Sequence, residues 1–231
     1  MVALVLLPGL DGTGLLFADF AAALAPDVKI IVVSYPTDSA VGYSELEPIA
    51  RSFLPNDQPF FLLGESFSGP IAISIAASRP PGLLGLILCC SFARSPRPAL
   101  AVLRPLLAVA PVAALPLALL SFFVLGRFSS PALRRSLAES LAQVSPSALR
   151  VRARAALAAD VSASLPRVGV PMLYLRASED RVVPESASQS IVALAPATKV
   201  IEFPAPHFLL QVLPSQAAAT VREFMGNARG L

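Results

Sequence analysis

An α/β fold is predicted: a minimal, mostly parallel six-stranded sheet flanked by helices, with a helical cap inserted after the fourth strand. Three observations predict it. Six short apolar runs alternate with helical stretches. A variant of the G-x-S-x-G motif, Gly64-Glu65-Ser66-Phe67-Ser68-Gly69, in which Ser68 takes the second glycine position and glycine follows at 69, falls at a strand-to-helix corner. The alternation then stops between Phe92 and Arg167, where proline-punctuated helical segments replace strands. A chain of 231 residues buries one substantial core, and no low-complexity linker or internal repeat divides it.

Strands are expected over 2–7, 28–34, 59–65, 83–90, 170–175 and 198–203, because each is a continuous apolar run of the kind that parallel strands covered on both faces require. Helices are expected over 15–25, 43–54, 67–78, 185–194 and 215–225. The core comprises 1–92 and 167–231, and the cap 93–166. Arg94-Ser95-Pro96-Arg97-Pro98 is a stiff exit from the sheet, and 132–144 and 147–159 read as helices with arginine on the polar side. Between these lies 105–125, which holds no charged residue. Such a run is long enough to be a candidate span. A span would leave Ser66 on one side of a bilayer with Asp180 and His207 on the other, and Pro105, Pro111 and Pro116 break the run into short pieces. Two readings stay open. The run is either an apolar roof over an acyl pocket or lipid-facing surface, with Leu119 and Phe123 against substrate, or simple packing of the cap onto the core.

The chemistry centres on Ser66. The corner lifts its hydroxyl above the sheet in a strained backbone conformation, and Gly64 and Gly69 keep the flanking backbone uncluttered. A serine needs a base, and His207 is the single histidine, in the loop Pro204-Ala205-Pro206-His207-Phe208 after a strand, at the edge where sites on open α/β sheets lie. The imidazole needs a carboxylate to fix its tautomer. Asp180 follows the fifth strand by a short turn, with Glu179 as its nearest rival. Asp160 reads as a solvated or capping carboxylate, and the first carboxylate after the fourth strand is Glu139, too far along to serve. Two backbone N–H groups should stabilise an oxyanion: Phe67, and Leu10 in the turn Pro8-Gly9-Leu10-Asp11-Gly12-Thr13-Gly14, where Gly9 lets the backbone approach substrate.

With the order Ser66, Asp180, His207 and that turn in place, the chain resembles the α/β-hydrolase superfamily over nearly its whole length. Leu-Pro-Gly-Leu-Asp-Gly-Thr-Gly together with Gly-Glu-Ser-Phe-Ser-Gly is similar to the small bacterial serine esterase, lipase and acyltransferase branch that includes phytyl ester synthase-type enzymes. The resemblance implies a carboxylic-ester hydrolase acting through an acyl-enzyme on Ser66, with acyl-thioesterase or acyltransferase chemistry on the same residues as the alternative. It implies no metal and no organic cofactor. A slow-turnover binding or receptor protein of the same fold is the other class. Two departures from the family pattern stand out. Pro8-Gly9 replaces a common His-Gly, which removes a supporting histidine from the oxyanion turn. The chain also begins on the strand before that turn, so six strands are expected rather than eight.

The resemblance implies a small-molecule ester as the partner, and the apolar cap leaves peripheral lipid contact as an open option; composition adds bounds. The net charge is +3 and the pI near 9.2. The densest basic cluster, Arg150, Arg152 and Arg154, lacks interleaved aromatics, which speaks against nucleic acid and for a solvated helix face. The glycine-rich first turn invites a dinucleotide-binding reading, but it is out of register for G-x-G-x-x-G and Ser34-Tyr35-Pro36 offers no acid for a ribose, both of which speak against that reading. Adjacent Cys89 and Cys90 on a buried strand, and an N-terminus without a charged region before its apolar run, lead us to expect a cytoplasmic protein.

Overall fold

The computed structural model describes residues 2–99 and 116–228. Its sheet contains β1 (Ala3–Leu7), β2 (Lys29–Val32), β3 (Phe60–Glu65), β4 (Leu83–Cys89), β5 (Met172–Ala177) and β6 (Lys199–Phe203), in the order β2-β1-β3-β4-β5-β6. Every pairing is parallel, so the sheet is wholly rather than mostly parallel. The six expected strands are all present. The expectation of continuous burial holds for the interior strands β1 and β3, where every residue is buried, but not for β2 and β6, which lie at the two edges and are half-exposed.

Period-two alternation divides the core between the two faces of the sheet. Val5, Leu62, Leu86 and Leu88 pack under α2 (Tyr43–Ser52), α3 (Gly69–Ala77) and α7 (Glu185–Leu194). Leu4, Leu6, Phe61, Leu63 and Ile87 pack under α1 (Ala18–Leu24) and α8 (Pro214–Asn227), which contribute Phe20, Leu24, Val221 and Phe224. Removing a fully buried ring such as Phe20 by truncation to alanine costs roughly 3 to 5 kcal/mol, which sets the scale of each face's contribution.

The topology also fixes where a site can form. The chain runs from β1 outward to β2 and returns to β3 on the other side of β1, so the order reverses between β1 and β3. The loops leaving the carboxyl ends of these two neighbours depart in opposite directions and leave a crevice between them. Both the glycine-rich turn after β1 and the Ser66 corner after β3 stand at that crevice.

The insert after β4 contains α4 (Leu117–Val124), α5 (Pro131–Ala142) and α6 (Pro146–Ala158). Its two stems are tied by an antiparallel bridge between Arg94 and Asp160, with Val161 N–H donating to Ala93 O at 2.7 Å and Ser95 N–H to Ala159 O at 2.7 Å. Helices α5 and α6 begin alike. Ser130 and Ser145 cap them, accepting from Leu133 N–H and Ala148 N–H at 3.2 Å each, and Pro131 and Pro146 follow at the first helical position. The part of the expected apolar run from 105 to 115 lies outside the described residues, and among those described no helix is long and apolar enough to cross a membrane.

Candidate active site

Ser66 has φ 48°, a left-handed conformation that a non-glycine residue adopts only when its surroundings compel it. The compulsion is visible in the two glycines. A Cβ on Gly64 would lie 2.7 Å from Ala72 Cβ and 3.2 Å from Gly69 Cα, whereas one on Gly69 would overlap the Ser91 side chain. Strand and helix therefore meet more closely than any larger residue allows. Ser91, after β4, locks the corner from beneath: its hydroxyl donates to Ser66 O at 2.5 Å, and its own backbone is held by Tyr174, which donates to Ser91 O at 2.6 Å.

The three residues expected to work together are hydrogen-bonded in one line. Ser66 Oγ lies 2.8 Å from His207 Nε2, and His207 Nδ1 lies 2.8 Å from Asp180 Oδ2. The other carboxylate oxygen of Asp180 accepts from Val182 N–H and Val183 N–H, both at 2.8 Å. Since that carboxylate can only accept, His207 Nδ1 carries the proton and Nε2 is free to accept from the Ser66 hydroxyl. Desolvation pushes the imidazole pKa down, but the charge of Asp180, its hydrogen bond, and the carboxylate of Glu65 outweigh it, leaving His207 above its ordinary value. A hydroxyl, imidazole and carboxylate so arranged can move a proton off the serine while stabilising the resulting imidazolium.

The rival acids are elsewhere. Glu179 is turned outward to Arg127 of the insert, with Nη2 at 2.5 Å from Oε1. Asp160 caps the turn at Ser162, accepting from its N–H at 3.0 Å and its hydroxyl at 2.6 Å.

The turn after β1 is drawn against the Ser66 corner: the Ser68 hydroxyl donates to Pro8 O and lies 2.8 Å from the Tyr35 hydroxyl. Tyr43 donates to Phe67 O at 2.9 Å and stacks on the Phe67 ring at 4.6 Å between centroids. Leu10 and Phe67 thus come from two loops that are tied to each other. Gly9 N–H bonds the carboxylate of Glu65, which also accepts from Gln211 Nε2 at 2.9 Å. Burial pushes Glu65 up to about 7, with Gln211 pulling it down and the Asp11 carboxylate pushing it up.

One expectation is overturned here. Arg152 is not part of a solvated face: its relative exposure is 0%, and its guanidinium reaches under the turn after β1. Nη1 donates to Leu10 O at 3.1 Å and Asp11 O at 2.7 Å, and Nη2 to Pro36 O at 2.7 Å. The signal was present in the helical period. Ala148, Leu149, Ala155 and Ala156 lie three or four residues from position 152 and form the inward stripe of α6, whereas Arg150 and Arg154, four apart, share another face. Glu65, Ser91 and Gln211 were also missed. Gln211 alone had a simple cue, lying four residues after His207.

Leu119 and Phe123 are both exposed at 43%, on α4, whose C-terminal end meets the histidine loop where Phe208 N–H donates to Val124 O at 3.0 Å. Among the described residues, Cys90, Asp180 and His207 form one cluster whose candidate ligand atoms lie within 4.8 Å of one another. Its donors suit a metal poorly: Nδ1 and the carboxylate are bound to each other, and burial pushes the Cys90 thiol well above its ordinary value, so the sulfur stays protonated.

Residues 4–223 match the model of the alpha/beta hydrolase family. The chain belongs to that family. Among solved structures it is similar to a lipase-esterase related protein from Clostridium acetobutylicum, with TM-score 0.81, 17% identity, and coverage of 96% of this chain and 94% of the other. It is similar to a thermophilic esterase from Thermogutta terrifontis, with TM-score 0.82, 18% identity, and coverage of 98% and 89%. A hydrolase from Oleispira antarctica gives TM-score 0.83, 16% identity, and coverage of 98% and 91%. At these identities the likeness is one of fold. No curated protein matches the sequence.

Proposed function

We propose that this alpha/beta hydrolase is a serine carboxylic-ester hydrolase that turns over through an acyl-enzyme on Ser66. The observation that carries the reading is the unbroken line from Ser66 Oγ through His207 to Asp180, at 2.8 Å for each link. In the first step His207 Nε2 takes the Ser66 proton as Oγ attacks the ester carbonyl, and Asp180 stabilises the imidazolium. The carbonyl oxygen gathers negative charge, which the N–H groups of Leu10 and Phe67 receive; one such donor is worth roughly 3 to 4 kcal/mol of barrier. The imidazolium protonates the leaving alcohol, leaving an ester on Ser66. Water, deprotonated by His207, then releases the acid and restores the serine.

An apolar acyl chain is the substrate feature best supported, because Leu119 and Phe123 are unburied apolar side chains on the helix that abuts the histidine loop. Gly9, buried between the Asp11 and Glu65 side chains, forms the floor beside the carbonyl. The test is a panel of p-nitrophenyl esters and acyl thioesters of increasing chain length, assayed with the parent protein and with Ser66→Ala and His207→Ala. Ester hydrolysis rising with chain length and lost in both variants supports the reading. A preference for thioesters moves it to thioesterase chemistry, and hydrolysis surviving in Ser66→Ala overturns it.

A further inference from the structure

We infer that Arg152 is a positioning residue: it sets the oxyanion turn from the cap side. The inference rests on the reading of Leu10 N–H as an oxyanion donor.

Leu10 N–H and Gly9 C=O belong to one planar peptide and point in opposite directions, so whatever orients the carbonyl aims the N–H. Gly12 N–H donates to Gly9 O at 3.1 Å, closing a turn over residues 9 to 12. The central residues of that turn are Leu10 and Asp11, and theirs are the two carbonyls that Arg152 Nη1 holds, at 3.1 and 2.7 Å. Anchoring both carbonyls fixes the dihedrals of the turn, hence the Gly9 carbonyl, hence the direction of the Leu10 N–H. The guanidinium suits this because it is planar, permanently charged and multiply donating, and charged donors make the stronger hydrogen bonds.

The turn is shaped to receive it. Gly12 has φ 74°, and a Cβ there would overlap the Arg152 guanidinium, so the approach depends on glycine. A second tie comes from α5, where the Ser140 hydroxyl donates to Asp11 Oδ2 at 2.8 Å, while Thr13 supplies the same oxygen with its N–H at 3.0 Å and its hydroxyl at 2.6 Å. The core holds the two ends of the turn, through Ser68 on Pro8 O, Glu65 on Gly9 N–H, and Tyr35 N–H, which donates to Gly12 O at 2.7 Å. Its middle belongs to the insert. Helices α5 and α6 are therefore a working part of the oxyanion site.

The experiment compares Arg152→Met, Arg152→Gln and Arg152→Lys with the parent, each normalised to the serine titrated by a fluorophosphonate. Arg152→Met should lose about 100-fold in kcat, the scale expected for a misplaced catalytic group, with KM held within about twofold. Affinity for a trifluoromethyl ketone, whose adduct carries an oxyanion, should fall in parallel, and Arg152→Lys should recover part of both. Amide hydrogen exchange at Gly12, read by NMR without ligand, should accelerate in the same order. Unchanged kcat per titrated serine, with only the melting temperature lowered, overturns the inference, as does unchanged Gly12 exchange. If the parent neither hydrolyses esters nor takes the label, the proposed function fails, and Gly12 exchange still decides whether Arg152 holds the turn.

Discussion

The two halves of the insert are built on opposite plans. Helix α4 exposes Leu117, Leu119, Phe122 and Phe123 and buries only Ser121. Among the described residues its polar ties to the rest are few: Val124 O accepts from Phe208 N–H, and Arg181 donates to Phe122 O at 3.0 Å while lying 4.3 Å over the Phe122 ring. Helices α5 and α6 bury Leu137, Ser140, Ala148, Leu149 and Arg152, and their side chains bond the backbone and carboxylate of the turn after β1. One half presents apolar surface, and the other fixes polar geometry. Substitutions in the first should change which substrates are used; substitutions in the second should change how fast any substrate reacts.

The baseline for that comparison is the relay on the sheet edge. Asp180→Asn should lower kcat about 10,000-fold through the wrong histidine tautomer, equally for acetate and octanoate esters, while the melting temperature changes little. A large loss in Glu179→Gln with Asp180→Asn active would move the acid to Glu179.

Next in size come variants on the anchored half. Asp11→Asn should cost about 10-fold in kcat, again at every chain length, because an uncharged amide oxygen in place of Asp11 Oδ2 accepts more weakly from Thr13 and Ser140. A loss that grew with chain length would erase the distinction between the halves. On α4 the pattern should reverse. Leu119→Gln or Phe123→Ser should leave acetate hydrolysis nearly unchanged and reduce kcat/KM for octanoate, by about fourfold for each methylene that loses apolar cover, since a buried methylene contributes about 0.8 kcal/mol. Equal losses for short and long chains with a lowered melting temperature would mean that α4 only packs.

The smallest effect is on pH. His207 must be neutral to act as base, so kcat/KM rises with pH as the imidazole loses its proton, at a pKa above its ordinary 6.5. Glu65 is one of the carboxylates that raise it. Glu65→Gln should therefore shift the acid limb to lower pH in a pH profile of kcat/KM, whereas a shift upward would show that Glu65 does not act on His207 through its charge.

Much of this was legible in the sequence because it follows from local pattern. Parallel buried strands are apolar runs, and all six are found within a few residues of their expected bounds. The corner at Ser66 is written in Gly64 and Gly69, and the placement of His207 and Asp180 follows from loops at one sheet edge. What escaped is tertiary. Arg152 reads as solvent-facing by composition and as inward by helical period, and only the carbonyls of Leu10, Asp11 and Pro36, more than a hundred residues earlier, explain an arginine there. Likewise the need for Gly69 comes from Ser91, a residue on a different strand's end, which no spacing within the motif records. The half-exposure of β2 and β6 depends on strand order, which apolar runs alone do not encode.

The most direct measurement is intact-mass and peptide mapping of the protein after reaction with a fluorophosphonate. A single label on the peptide carrying Ser66 is predicted in the parent, none in Ser66→Ala, and slowed labelling at pH 7 in Asp180→Asn, where the base has lost its proper tautomer. Label on another residue, or a parent protein that stays unlabelled while it hydrolyses esters, would contradict Ser66 as the nucleophile.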